Sequence, residues 1–266
     1  MKKIKQFLGA TVATAALLLA GCGDKESAAG PLKLGMIPGP EWDVMEQVVD
    51  RLGQEGVQVE LIAFQDYATP NRALADGSID VNAFQHKPYL DAMVRDQGLK
   101  LAAVGNTFVY PMAVFSKKIE SLAELKEGGR VAIPNDPSNE GRALILLHSA
   151  GLIGLADVAN LEATPLDIVH NPKNLRFVEL DASQLPRAMQ DVDIAVINNT
   201  FAVPAGLTLE QALLVESKES PYMNIFAARA DSLDDPRIIK LVQAYQTDET
   251  LKVAKKLFKG GAVKGW

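Results

Sequence analysis

The stretch Pro134-Asn135-Asp136-Pro137-Ser138-Asn139-Glu140-Gly141-Arg142 holds the densest polar chemistry in the chain. It follows the apolar run Arg130-Val131-Ala132-Ile133-Pro134, which reads as a strand, and it opens a helical pattern over 137–150. Asp136 suits the N-cap, and Pro137 suits the first helical position, where its missing N–H is no loss. Asn139 and Arg142 lie three apart, so both project from one face of the first turns. Free N–H groups, the positive end of a helix and the planar fork of Arg142 together suit a carboxylate. The local pattern equally fits a plainly capped helix, with Arg142 in solvent or paired with Glu140.

Two further clusters stand at strand ends, where ligands of open α/β sheets bind. Phe84-Gln85-His86-Lys87-Pro88-Tyr89 follows a strand read at 79–83. Phe84 and Tyr89 can wall an apolar side chain and His86 can orient it, although a lone His is more often structural. Tyr67 lies on another loop after a strand and can join them, or simply face water. Val196-Ile197-Asn198-Asn199-Thr200-Phe201 is the third cluster. A side-chain amide offers donor and acceptor together and so can meet both ends of a zwitterion, but Asn in turns is common for local reasons.

An enzyme finds little support here. The chain has no Gly-x-Ser-x-Gly elbow, no His-Glu-x-x-His and no Gly-rich phosphate loop after a strand. Its three histidines, His86, His148 and His170, are not at metal-ligand spacing. The expectation is no catalytic residue, no metal and no cofactor.

The elements that must position these clusters alternate. Strands read at 32–37, 57–64, 79–83, 99–104, 111–116, 130–134, 175–179, 194–197, 213–215 and 224–228. Helices read at 42–52, 70–75, 88–96, 137–150, 236–246 and 249–258. This order predicts an α/β protein with mainly parallel sheets. The apolar stretches 110–116 and 222–229 can carry the chain out of a first lobe and back into it.

At the start of the chain, Lys2, Lys3 and Lys5 precede a short apolar run that ends in Leu19-Ala20-Gly21-Cys22, and Cys22 is the only cysteine. A basic start, an apolar core too short to span a bilayer and small residues at a cleavage point read as a secretory signal over 1–21. Leu-Ala-Gly-Cys resembles a bacterial lipobox, in which the cysteine becomes a lipid-modified N-terminus. Residues 22–31 then form a flexible tether. Cleavage takes away three lysines and moves the net charge from −6 to −9, which argues against nucleic acid as a partner. With Cys22 modified no thiol remains for disulfides, so a large core must hold the body together.

The chain resembles the methionine-binding lipoproteins of ABC importers, the NlpA/MetQ family. The resemblance rests on Asp66-Tyr67, the run from Pro70 to Gly77, Ile79 to Asn82, Phe84-Gln85-His86 and Pro88-Tyr89-Leu90. It continues through Pro111-Met112, the run from Ile133 to Leu144, Asn171 to Leu175, Gln184 to Ala188, Ala195 to Asn198, Ser220-Pro221-Tyr222 and Phe258-Lys259-Gly260. It implies a type II periplasmic-binding-protein fold, two α/β lobes closing over an amino acid, with residues 32–114 and 225–266 in lobe 1 and 115–224 in lobe 2. It implies a lipid-anchored, monomeric receptor in the cell envelope that captures L- or D-methionine and delivers it to the importer's permease and ATPase. The alternatives are another amino acid, a methionine derivative or a Met-containing dipeptide as ligand, or, more distantly, a periplasmic enzyme acting on amino-acid derivatives. Tyr67, Phe84, His86 and Tyr89 would form the ligand wall of lobe 1. Asn139 and Arg142 would hold the polar end from lobe 2, with Asn198 and Asn224 as further contacts. Two places depart from the family pattern: Glu41-Trp42-Asp43 stands where His-Ala-Glu is usual, and Tyr110 stands where Glu is usual.

Overall fold

Leu32 and Leu34 of the first strand are wholly buried while Lys33 between them is exposed, the alternation of a strand at the edge of a core. The computed structural model describes residues 30–258 and 261–266, so the signal, Cys22 and most of the tether lie outside the described residues. From Pro31 to Trp266 the chain coheres as one unit. Its first half alternates through β1 (Leu32–Met36), α1 (Pro40–Gln54), β2 (Val59–Ala63), α2 (Pro70–Ala75), β3 (Val81–His86), α3 (Lys87–Gln97) and β4 (Leu101–Asn106). After a short β5 (Phe108–Val109) come β6 (Ala113–Phe115), β7 (Arg130–Pro134), α4 (Pro137–Ser149), the small pair β8 (Gly154–Leu155) and β9 (Ile168–His170), and β10 (Arg176–Leu180). The chain continues through α5 (Leu185–Ala188), β11 (Ile194–Ile197), α6 (Asn199–Ala202) and β12 (Leu214–Val215). It closes with β13 (Asn224–Arg229), α7 (Pro236–Tyr245), α8 (Asp248–Leu257) and β14 (Val263–Lys264).

Two five-stranded sheets result, ordered β2-β1-β3-β13-β4 and β10-β7-β11-β6-β12. Within each, one side carries two parallel pairings and the other two antiparallel ones. The parallel half is what alternating strands and helices predict. The antiparallel half arises because β13 and β6 enter their sheets from the far side, a consequence of the chain passing between sheets. This is an α/β fold of two lobes.

Local sequence explains the elements that carry the site. In α1, Val44, Met45, Val48 and Leu52 form one buried stripe against α7 and α8. The helix begins at Pro40, two residues earlier than the apolar spacing predicts, because proline is at home in the first turn. In α4, the Asp136 carboxylate accepts from the Asn139 N–H at 3.0 Å, so the predicted cap is in place. Gly141 lets α4 lie against the backbone of the 161–163 loop, since a Cβ there would stand 2.3 Å from the Leu161 carbonyl oxygen.

Candidate functional site

The carboxyl ends of strands from both sheets face one another across a cavity with about 330 Å³ of empty space. Among the sequence-predicted residues Tyr67, Phe84, His86, Asn139, Arg142, Asn198 and Asn224 all line it. Tyr89 stands behind the wall instead: its hydroxyl donates to the Tyr67 carbonyl at 2.8 Å and its ring lies 5.9 Å from that of Phe84. It fixes the position of the rings that do face the cavity. Tyr67 is buried rather than facing water, because its ring meets Phe84 at 5.8 Å and Phe201 of α6 at 4.9 Å.

A polar chain crosses between the two sheets at this point. The Tyr89 N–H donates to His86 Nδ1 at 3.1 Å, which makes Nδ1 an acceptor and places the ring proton on Nε2. Nε2 then donates to Asn139 Oδ1 at 3.1 Å, which also accepts from Asn198 Nδ2 at 2.7 Å. Asn139 Nδ2 is held in turn by the Asp136 carboxylate at 2.9 Å. Burial, and after it the Arg142 guanidinium, push the His86 pKa down to about 3, so the imidazole is neutral. The chain of donors ends at Asn198 Oδ1, a buried acceptor with no partner among the described residues. Asn199 Oδ1 is a second. Native interiors rarely leave such atoms orphaned, so these point to a donor supplied from outside the chain.

Arg142 is 4 % exposed and does not pair with Glu140. Its Nε and Nη2 donate to the Glu216 carboxylate at 3.0 and 2.5 Å, Nη2 also donates to the Tyr110 carbonyl at 2.9 Å, and its guanidinium carbon lies 4.5 Å from the ring centre of Tyr222. Nη1 keeps no protein partner among the described residues. Asn224 reaches the cavity because β13 pairs it directly with His86 of β3.

A model of the NlpA lipoprotein family matches residues 32–266. The chain belongs to the NlpA lipoprotein family. It is 52 % identical to the D-methionine-binding lipoprotein MetQ of Salmonella typhi and to that of Escherichia coli K12, over 269 residues and 99 % of each chain. Among solved structures it resembles the methionine-binding protein MetQ, with a TM-score of 0.86 and 54 % identity over 88 % of this chain and 98 % of that one. It also resembles a nutrient-binding protein from Burkholderia cenocepacia bound to methionine, with a TM-score of 0.84 and 45 % identity over 88 % of this chain and all of the other.

The NlpA cavity of this chain includes residues that sequence reasoning did not single out. Gln85, Asn199 and Thr200 line it from within clusters that the sequence did flag. Gln85 belongs to a buried amide network with Asn71 and Asn82, at 2.7–2.9 Å, which stiffens β3 behind the site. Tyr110, one of the departures from the family pattern, also lines the cavity. Glu216 gave no local signal at all. Among the described residues there is no cluster of three or more His, Cys, Asp or Glu able to hold a metal, and no helix long and apolar enough to cross a membrane.

Proposed function

We propose that this chain is the solute receptor of an ABC importer and that the cavity binds methionine as its zwitterion. The observation that carries the reading is the pairing, in one cavity, of an orphaned acceptor with the free Nη1 of a buried guanidinium. Asn198 Oδ1 meets the ammonium, Arg142 Nη1 meets the carboxylate, and the rings of Tyr67 and Phe84 receive the thioether. The 52 % identity to D-methionine-binding lipoproteins supports the same ligand class.

Residues 32–112 with 224–266 form one lobe and 113–223 the other, hinged where the chain passes twice between the sheets; the expected bounds of 114 and 225 shift because β6 begins at Ala113 in the second sheet and β13 at Asn224 in the first. Cys22 carries the lipid that holds the monomeric body to a membrane on the extracytoplasmic side, and the loaded receptor docks on the permease and ATPase. Binding rather than turnover is the activity.

Thermal melting of the purified protein against a panel of L- and D-amino acids, methionine derivatives and Met-containing dipeptides tests the reading. A ligand that binds only the folded state stabilises by RT ln(1 + [L]/Kd), about 2.7 kcal/mol at a hundredfold excess over Kd. Methionine should give the largest upward shift. No shift with methionine and a clear one with another compound would replace the ligand.

A further inference from the structure

Glu41 is the second residue of α1, is 8 % exposed, and has no cation beside it among the described residues. Its Oε1 accepts from the Thr200 hydroxyl at 3.2 Å, and its Oε2 is buried with no partner among the described residues. The contact crosses the cleft, since α1 packs on the first sheet whereas Thr200 lies in α6, just after β11 of the second. The approach there is close: a Cβ on Gly39 would stand 3.5 Å from Pro204 and 3.6 Å from the Thr200 carbonyl oxygen. Thr200 also lines the cavity beside Tyr67, so what holds Thr200 also holds the ligand wall.

The Thr200 hydroxyl and the backbone N–H of Glu41 itself favour its charge, but burial outweighs them. Its own helix supplies Asp43, a second acid. From the loop after β2, from the segment between β5 and β6, and from α7 come Tyr67, Tyr110 and Tyr245, each kept un-ionised by its own burial. An ionised carboxylate with one oxygen lacking a donor is costly in such a place, and the helix N-terminus offsets only part of that cost. The neutral acid accepts from Thr200 through one oxygen and carries its proton on the other.

We infer that Glu41 is a positioning residue of the cleft: as the neutral acid it holds Thr200 across the lobes, so that closing over the ligand takes up one proton. The inference rests on the ligand reading above. Burial pushes the Glu41 carboxyl up to about 7 in the closed form, from an ordinary value of 4.5 when water reaches it. A group whose pKa rises on closing favours the closed form at low pH and loses that advantage as pH climbs through the raised value. Affinity should therefore fall close to tenfold per pH unit between about pH 5 and 6.5, and level off above about 7. His86 is pushed down in the same closed form, so a proton it gives up on closing opposes this uptake, and the difference from Glu41→Gln isolates the share of Glu41.

The test is calorimetric titration of the full chain with L- and D-methionine and the amino-acid panel, from pH 5 to 8.5, in two buffers of different ionisation enthalpy. An uptake greater by close to one proton in wild type than in Glu41→Gln near pH 6 supports the inference. So does tighter binding by Glu41→Gln than by wild type at pH 8. Glu140→Gln, which removes another raised carboxyl, should leave the slope in place. Methionine binding with the same proton count in wild type and Glu41→Gln would overturn the role of Glu41 and leave the ligand reading standing. Uptake seen only with a different amino acid would do the reverse, and binding of no ligand would overturn both.

Discussion

Arg142 and Glu216, 74 residues apart in sequence, meet as a buried two-point pair in which two guanidinium nitrogens face two carboxylate oxygens. Glu216 also accepts from the Met112 N–H at 3.0 Å and from the Ser220 hydroxyl at 3.2 Å. Arg142 is thereby tied to both segments that pass between the sheets, through Tyr110 and Met112 on the way out and through Glu216 and Tyr222 on the way back. The guanidinium presented to the cavity is oriented by the same residues about which the lobes would turn.

Truncation of Arg142 should be the most damaging single change to binding. Removing one partner of a desolvated charge pair typically costs about 2–5 kcal/mol. Tyr67→Phe should cost nearer to about 1 kcal/mol, the worth of a neutral hydrogen bond. Arg142→Lys should recover only part, since an ammonium cannot hold both Glu216 oxygens and still reach the ligand. Calorimetric titration with methionine ranks the three, and near-wild-type affinity in Arg142→Ala would remove the anchor of the proposed site.

Glu216→Gln separates orientation from charge. Losing the carboxylate leaves Arg142 buried and unpaired, which should lower folding stability by about 3–5 kcal/mol. Ligand affinity should fall as well, because the guanidinium is no longer held in one pose. Urea unfolding with and without methionine measures both effects. An unchanged midpoint would mean that the pair contributes nothing to stability.

His86 should make the fold acid-sensitive. Its pKa is pushed down to about 3 when folded, against about 6.5 for an ordinary histidine. The unfolded chain therefore binds the extra proton between those values. The stability this neutral ring contributes is fully present above about pH 6.5 and is lost progressively as pH falls towards 3, by up to about 1.4 kcal/mol per pH unit. Melting curves of wild type and His86→Gln should converge on acidification, because the variant lacks this term. Parallel curves from pH 7 to 4 would contradict the assignment.

The same substitution at two helical glycines should act in opposite directions. Gly141→Ala puts a Cβ against the Leu161 carbonyl and the Ala163 N–H, which should cost about 1–3 kcal/mol and displace the helix that carries Asn139 and Arg142. Gly53→Ala, in α1 with nothing within 4 Å, should stabilise by about 0.5–1 kcal/mol through helix propensity. Thermal melting decides both signs.

Cys22→Ser should abolish lipid attachment and leave methionine affinity unchanged in the purified domain, since the sequence between Cys22 and β1 is short, small and polar and carries none of the proposed site residues. Metabolic labelling with a fatty acid reads the first, and titration reads the second. Labelling that persists in the variant would exclude Cys22 as the acceptor.

What could be read from sequence was local chemistry. Asp136 and Pro137 announce the start of α4, and alternation announces β1, because caps and pleats act within a few residues. β3 is shifted from the predicted 79–83 to Val81–His86 for a non-local reason: Gln85 and His86 become strand only by pairing with Ile225 and Asn224, far along the chain. Strands β5 and β14 are two residues each and exist only as each other's partners. Seven of the eight ligand-site residues named from sequence reach the cavity wall because they sit at strand ends or in the first turns of α4. Glu216 was illegible for the opposite reason, since an acid in a loop looks like any solvated charge until the fold brings Arg142 to it.

The contact between Tyr67 and Phe201 joins rings contributed from opposite sides of the cleft, inside an apolar cluster that includes Phe84, Ala113, Phe115 and Ile197. Opening the lobes would hand that surface to water, and closing would withdraw it again. The heat capacity of ligand binding should then be more negative than the small apolar area of a methionine side chain can supply. Much of the calorimetric signature of capture would belong to the receptor's own aromatic rings.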